Sequence, residues 1–279
     1  MSTVPSGPAG PATRRTPGLP STLTGRARGL AAAAVAAAAA VTVAGLVDGV
    51  GERGDLSSYD PTVTADAVRV RTPVLTVLAE VVTMVGSEVA VGILTAAVVL
   101  WVAVRRRDRL RALHFGATMA VSAAVTLGVK HLVARGRPPA AVVLGPVDTG
   151  YSFPSGHTLF STVFFGLVAF LVADRLAGRR GARTIAFVGW AAASVAVGAS
   201  RIYLGYHWFT DVLAGWVLGV LVLAVAFAAL GLLRHRGHER GAENAHAGAA
   251  MPRLGGGRGA ELQPVAERVE GVDDARPAR

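Results

Sequence analysis

The chain has 279 residues, of which 52% are hydrophobic and only 16% charged, and its mean hydropathy is +0.48. A soluble domain carries roughly 25% charged residues, so the composition points to a membrane protein with polar ends. With no cysteine, disulfides, thiolate zinc sites and a cysteine nucleophile are excluded.

In chain order, residues 1–29 are rich in Pro, Gly, Ser and Thr and carry Arg14, Arg15, Arg26 and Arg28; they read as a disordered basic arm. Leu30 to Val47 is apolar and mostly alanine, short for the ~20 residues that a span needs. Its position after arginines is compatible with a signal peptide, but it is read here as an uncleaved first span. Asp48 to Arg71 is a polar, mostly acidic loop. Val74 to Val85 is apolar but too short to cross, and is expected to be an interfacial or partly re-entrant helix. Five further spans follow: Val89 to Val104, Ala112 to Val133, His157 to Ala173, Thr184 to Ala199, and Trp208 to Leu233. Arg234 to Arg279 reads as a disordered tail. The expected fold is therefore all-α: a polytopic bundle over residues 30–233 with six transmembrane helices and a short interfacial helix before the second span.

The net charge of +10 has to be read by position before it is assigned to nucleic acid. "RRRDRLR", Arg105 to Arg111, holds five arginines; Asp174 to Arg183 holds four; "RHRGHER" from Arg234 holds three. With six spans these segments and the basic arm share one side. The positive-inside rule makes that side cytoplasmic, with both termini on it. The charge becomes a topology signal, and nucleic-acid binding loses its support.

The chemistry collects on the other, extracytoplasmic side. "KHLVARGRPP" ends the third span, "PSGH" begins the fourth, and "SRIYLGYHWFTD" joins the last two. Ionisable residues are costly in a bilayer and mark function. His207 and Asp211 stand four apart; on a helix they share a face, so the carboxylate can fix the imidazole tautomer. Ser155 suits an N-cap, and Gly156 allows close approach to the backbone. A helix N-terminus takes an anion, with His157 beside it. Alone, each cluster has an ordinary reading: an i,i+4 polar pair, a capped helix start, a turn for lipid headgroups. Together they make a site for a phosphate ester, where arginine supplies a planar fork and lysine a point charge. Lys130 is the sole lysine among 28 basic residues; a chain so biased towards arginine would be expected to lose a lysine with no special role. The residues do not decide which histidine attacks.

Lys130, Arg137 and Pro138 spell K-x6-R-P, Pro154 to His157 spell P-S-G-H, and Ser200, Arg201, His207 and Asp211 spell S-R-x5-H-x3-D. These resemble the three signature motifs of the type 2 phosphatidic acid phosphatase family, membrane lipid phosphatases that share an active-site plan with vanadium haloperoxidases. The resemblance covers roughly Val74 to Leu233. It implies that His207 is the nucleophile, that Asp211 orients it, and that His157 is the general acid. It implies that Lys130, Arg137, Ser155, Gly156 and Arg201 hold the phosphoryl oxygens, with no metal and no cofactor. The implied function is hydrolysis of a lipid phosphate or diphosphate in the plasma membrane. Undecaprenyl diphosphate stands first among substrates, because bacterial members often recycle that carrier, with phosphatidic acid or phosphatidylglycerol phosphate close behind. The motifs do not separate hydrolysis from phosphotransfer to an alcohol. An anion transporter is the distant alternative, since charges at one face are not broken helices at midplane.

Overall fold

The computed structural model describes residues 57–176 and 178–250, with the backbone of scattered positions between 34 and 50; side chains are described as far as 232. The chain separates into two units, Met1–Arg234 and His235–Arg279. In the second, the described residues are helical as far as Ala250. The basic arm, half of the expected first span and residues 251–279 lie outside the described residues.

Among the described residues the chain is all-helical. A 3-10 turn, Ser57–Tyr59, leads into α1 (Asp60–Arg69), followed by α2 (Pro73–Val85), α3 (Glu88–Val104), α4 (Arg109–Val133), α5 (Gly156–Arg175), α6 (Arg180–Tyr203) and α7 (Phe209–Ala250), whose apolar part is Phe209–Leu232. The acidic segment expected to be a loop thus holds a helix. Its Asp60–Pro61 start explains this: proline is pre-organised for the first helical turn.

Four helices, α4 to α7, are long and apolar enough to cross a membrane, and α2 with α3 forms a pair bent by 45° that could make a fifth span. At about 1.5 Å per residue, the 20 residues of α5 reach the ~30 Å of the hydrocarbon core and the 24 or 25 of the other three exceed it. This is a multi-pass membrane protein. Large apolar side chains such as Leu113, Ile185, Val188 and Val220 are exposed along these helices, as a lipid-facing surface requires. The bend has a local cause. Gly86 packs so tightly on α6 that a Cβ there would lie 2.4 Å from Val197 Cγ1, and Ser87 caps the new helix by accepting from Ala90 N.

The central helix is α5: 61% of its apolar window is buried, against 28% to 33% for the other three. Leu159, Val163, Phe164 and Leu167 of α5 meet Phe115 and Met119 of α4, Val91 of α3, and Leu218 and Leu223 of α7. Tryptophan N–H groups join the layers, Trp190 to Thr162 O at 2.8 Å and Trp216 to Ser194 O at 3.0 Å. Such interhelical bonds replace the hydrophobic drive that lipid cannot supply. On α4, Thr118, Ser122 and Thr126 return their hydroxyls to carbonyls four residues earlier, which satisfies them inside the bundle. A groove of about 1090 Å³ between α4 and α7, lined by Leu113, Val121, Val125, Leu221 and Val225 among others, contains none of the motif residues; it is an apolar feature of the bundle and not the polar site.

Candidate active site

The site forms where α4, α5, α6 and α7 end or begin on one side of the bundle. Lys130 is in the last turn of α4. The helix stops at Ala134, whose left-handed φ of +48° closes an Ala134 N to Lys130 O bond of 2.9 Å. A non-glycine residue there is strained by roughly 1–2 kcal/mol, and the turn sends Arg135 and Arg137 across the mouth of the bundle. Arg201 is in the last turn of α6. The chain then turns at Gly205, with φ +82°; a Cβ there would lie 2.2 Å from Val142 O, so only glycine fits. This turn presents His207, and Asp211 follows in the first turn of α7.

His207 and Asp211 are both buried, and Nδ1 lies 3.3 Å from Asp211 Oδ2. That oxygen also accepts from Trp208 N at 3.0 Å. On the other edge of the ring, Nε2 lies 3.4 Å from Arg137 Nη1. An Nδ1–H donated to Asp211 leaves Nε2 as the acceptor, with its lone pair in plane. Burial pushes the His207 imidazole down to about 4, against the bond and charge of Asp211; Arg201 and Arg137 add to the lowering. At neutral pH this leaves the ring uncharged.

Around it stand the cations. Arg137 also donates to Tyr206 O at 3.0 Å and Gly150 O at 3.1 Å. Arg201 Nη2 donates to Asp148 Oδ2 at 2.6 Å, and the same oxygen takes Arg137 Nη1 at 3.4 Å. Arg201 Nη1 reaches Thr83 on α2 at 3.1 Å, while its buried Nε has no partner among the described residues. Lys130 Nζ donates to Tyr151 O at 2.7 Å. His157 makes no hydrogen bond among the described residues and lies in the field of Arg201, His207, Arg137 and Lys130.

Ser155 occupies the N-cap position of α5, but its hydroxyl caps nothing. It accepts from Thr158 Oγ1 at 2.9 Å, and its backbone N donates to Asp211 O at 3.0 Å. No side chain takes up the first N–H groups of α5, which suits an anion site. Beside Gly156 the space is taken by a side chain: a Cβ would meet Glu88 Oε1 at 2.6 Å.

All eight candidate site residues read from the sequence thus gather at this end of the bundle. Three further carboxylates or cations were not foreseen in roles there. Asp148 bridges Arg137 and Arg201. Asp60, from α1, and Arg135 stand behind Asp211: Arg135 spans the two aspartates with 2.6 Å contacts to each.

Residues 111–234 match the model of the PAP2 superfamily. This stretch is similar to the PAP2 superfamily. The chain is similar to phosphatidylglycerophosphatase B of Bacillus subtilis, 32% identical over 94 residues, covering 34% of this chain and 45% of that protein. It is also similar to an undecaprenyl-diphosphatase of Sulfolobus acidocaldarius, 37% identical over 117 residues, covering 39% and 52%. The chain therefore spans about half the length, or less, of these curated relatives. A solved transmembrane PAP2-type phosphatidylglycerolphosphate phosphatase from Bacillus subtilis shares the PAP2 fold, with a TM-score of 0.63 at 23% identity, over 68% of this chain and 92% of that one.

Proposed function

We propose that this PAP2 protein is an integral membrane lipid phosphatase acting through a phosphohistidine on His207. The observation that carries the reading is the buried His207, held at Nδ1 by Asp211, with Nε2 3.4 Å from Arg137 Nη1 and the ring in the field of Arg201. Nε2 attacks phosphorus, and the bond from phosphorus to the lipid oxygen breaks. His157 gives a proton to that departing oxygen. Water then attacks the phosphohistidine, His157 takes its proton, and inorganic phosphate leaves while Nε2 regains its lone pair. Lys130, Arg137, Arg201, the Ser155 hydroxyl and the N–H groups of Gly156 and His157 hold the non-bridging oxygens, the neutralisation that phosphoryl transfer mainly needs. These fixed cations supply what a metal would. Asp148 now engages both arginines, so the phosphoryl group takes its place as their anion.

The substrate is a lipid phosphate or diphosphate. The relatives' names supply one of each class, a phosphatidylglycerophosphatase and an undecaprenyl-diphosphatase. Undecaprenyl diphosphate remains the first expectation and phosphatidylglycerol phosphate the second. The arginine-rich loops put both termini in the cytoplasm and the site on the extracytoplasmic face, with six spans if Leu30 to Val47 crosses. The deciding experiment offers the purified protein both lipids, with phosphatidic acid, in detergent containing a chelator, and measures released phosphate. Release from at least one lipid is expected. Release from none, or only when magnesium is restored, overturns the reading.

A further inference from the structure

Asp60 belongs to none of the three motifs and precedes the first by 70 residues, yet it is 1% exposed. Both its oxygens are used. Oδ1 accepts Thr210 N at 2.9 Å; Oδ2 accepts Thr210 Oγ1 at 2.6 Å and Arg135 Nη2 at 2.6 Å. Arg135 turns its other terminal nitrogen to Thr210 Oγ1 at 2.8 Å and to Asp211 Oδ1 at 2.6 Å. The second oxygen of Asp211 is thereby left to His207 and Trp208. Arg135 also lies over the Trp208 ring, 5.7 Å from its centroid.

The geometry points to Asp60, Arg135 and Thr210 as positioning residues that aim the Asp211 carboxylate at His207 and set the charge behind it. The inference rests on the phosphohistidine reading. Two fixed carboxylates around one guanidinium carry a net charge of about −1, and in a low-dielectric interior that charge acts strongly. When Nε2 is phosphorylated while Nδ1 keeps its proton, the ring becomes cationic; the surplus carboxylate faces the charge that develops. Without Asp60 the Arg135–Asp211 pair is neutral, and Arg135 is free to pull Asp211 away from the imidazole. Neither effect touches the phosphate-binding cations, so the loss falls on the phosphorylation step and spares substrate binding.

The test compares the full chain with Asp60→Asn, Thr210→Val and Thr210→Ser in detergent. It measures KM for the lipid phosphate and the single-turnover rate of phosphohistidine formation by rapid quench into alkali. Misaimed groups lose rates on the order of tenfold or more, and that loss is expected for Asp60→Asn and Thr210→Val, with KM changed by less than about twofold. Thr210→Ser keeps the hydroxyl and is expected to phosphorylate close to the wild-type rate. Should Asp60→Asn not fold, the valine–serine pair at Thr210 decides. Wild-type rates in Asp60→Asn and Thr210→Val overturn the inference, as does a rise in KM matching the lost rate, or an equal loss in serine and valine. If the wild-type protein hydrolyses lipid phosphate and forms phosphohistidine while the variants match it, this inference alone fails. If the wild type forms none, the functional reading fails and takes the inference with it.

Discussion

The backbone N–H of Ser155 donates to the carbonyl of Asp211 over 3.0 Å, which pins the start of α5 to the first turn of α7. The helix carrying His157 is thereby registered against the residue that holds His207. The register depends on close packing one turn further along. At Gly215 of α7 a Cβ would meet Thr158 Cβ at 2.8 Å and Ser155 O at 3.0 Å, and at Gly219 it would meet Thr162 Cβ at 2.8 Å. Small residues four apart are what lets two membrane helices approach this closely.

Gly215→Val is therefore expected to push α7 away from α5. Overpacking costs about 1–3 kcal/mol, and activity should fall even though residue 215 is not itself among the residues assigned to phosphate. Gly231→Val, where a Cβ would meet nothing within 4 Å, is the control and should leave melting and phosphate release unchanged. Thermal melting in detergent with phosphate release checks both. A Gly215→Val protein as stable and active as the wild type contradicts the packing argument.

Stability should depend on pH through His207. Its folded value is near 4, below the ~6.5 of an unfolded histidine. Above about 6.5 both states are neutral, and the group adds no slope. As pH falls from about 6.5 to 4 the unfolded chain takes up a proton that the folded protein refuses, so stability is lost, by at most about 1.4 kcal/mol per pH unit. His207→Asn keeps a donor for Asp211 but does not titrate. The difference between the two proteins' melting curves against pH isolates this group from the carboxylates. Equal slopes between pH 4 and 6.5 would show that His207 is not buried neutral.

Lys130 ends α4 with its Nζ on Tyr151 O at 2.7 Å, so the ammonium is compactly anchored at the loop before α5. A guanidinium is larger and its donors are fixed in a fork. Lys130→Arg should keep the charge yet lose on the order of tenfold or more in kcat/KM, the worth of a charge-assisted hydrogen bond of ~1.5–3 kcal/mol. Steady-state kinetics on a lipid monophosphate measure this. Unchanged kinetics would mean that the sole lysine holds no phosphoryl oxygen.

The grouping of the candidate site was legible because it is written in local spacing. His207 and Asp211 share one turn, and Ser155, Gly156 and His157 open one helix, so sequence distance stood in for spatial distance. The long apolar runs likewise matched α4 to α6 and the apolar part of α7 to within a few residues, while the helix of α7 runs on to Ala250 through a stretch read as a disordered tail. What the sequence hid was long-range. Asp60 sat in a stretch that looked like an acidic loop, and nothing in its neighbours signals that Arg135 and Thr210 bury it; only the Asp-Pro helix start was there to be read. Arg135 lies within "KHLVARGRPP", but its two carboxylates, Asp60 and Asp211, are far from it in the chain. Ser155 was expected to cap α5 with its hydroxyl, but Thr158 and the Asp211 carbonyl claim its polar groups, which leaves the helix N-terminus open. At Gly86 the expected interfacial or partly re-entrant helix and the span after it meet as a pair bent by 45°, and the glycine's neighbour in space, Val197, is invisible in the chain.

The central claim is that His207 carries the phosphoryl group, and trapping that bond tests it most directly. Phosphohistidine survives alkali and is lost in acid, so the protein should be mixed with a lipid phosphate labelled on phosphorus, quenched in alkali within a single turnover, digested and mapped by mass spectrometry. The label is expected on His207, absent in His207→Asn, and prolonged in His157→Ala when an activated aryl phosphate replaces the lipid, because that leaving group needs no proton while hydrolysis of the intermediate still does. Label on His157, or turnover by His207→Asn at the wild-type rate, would contradict the account.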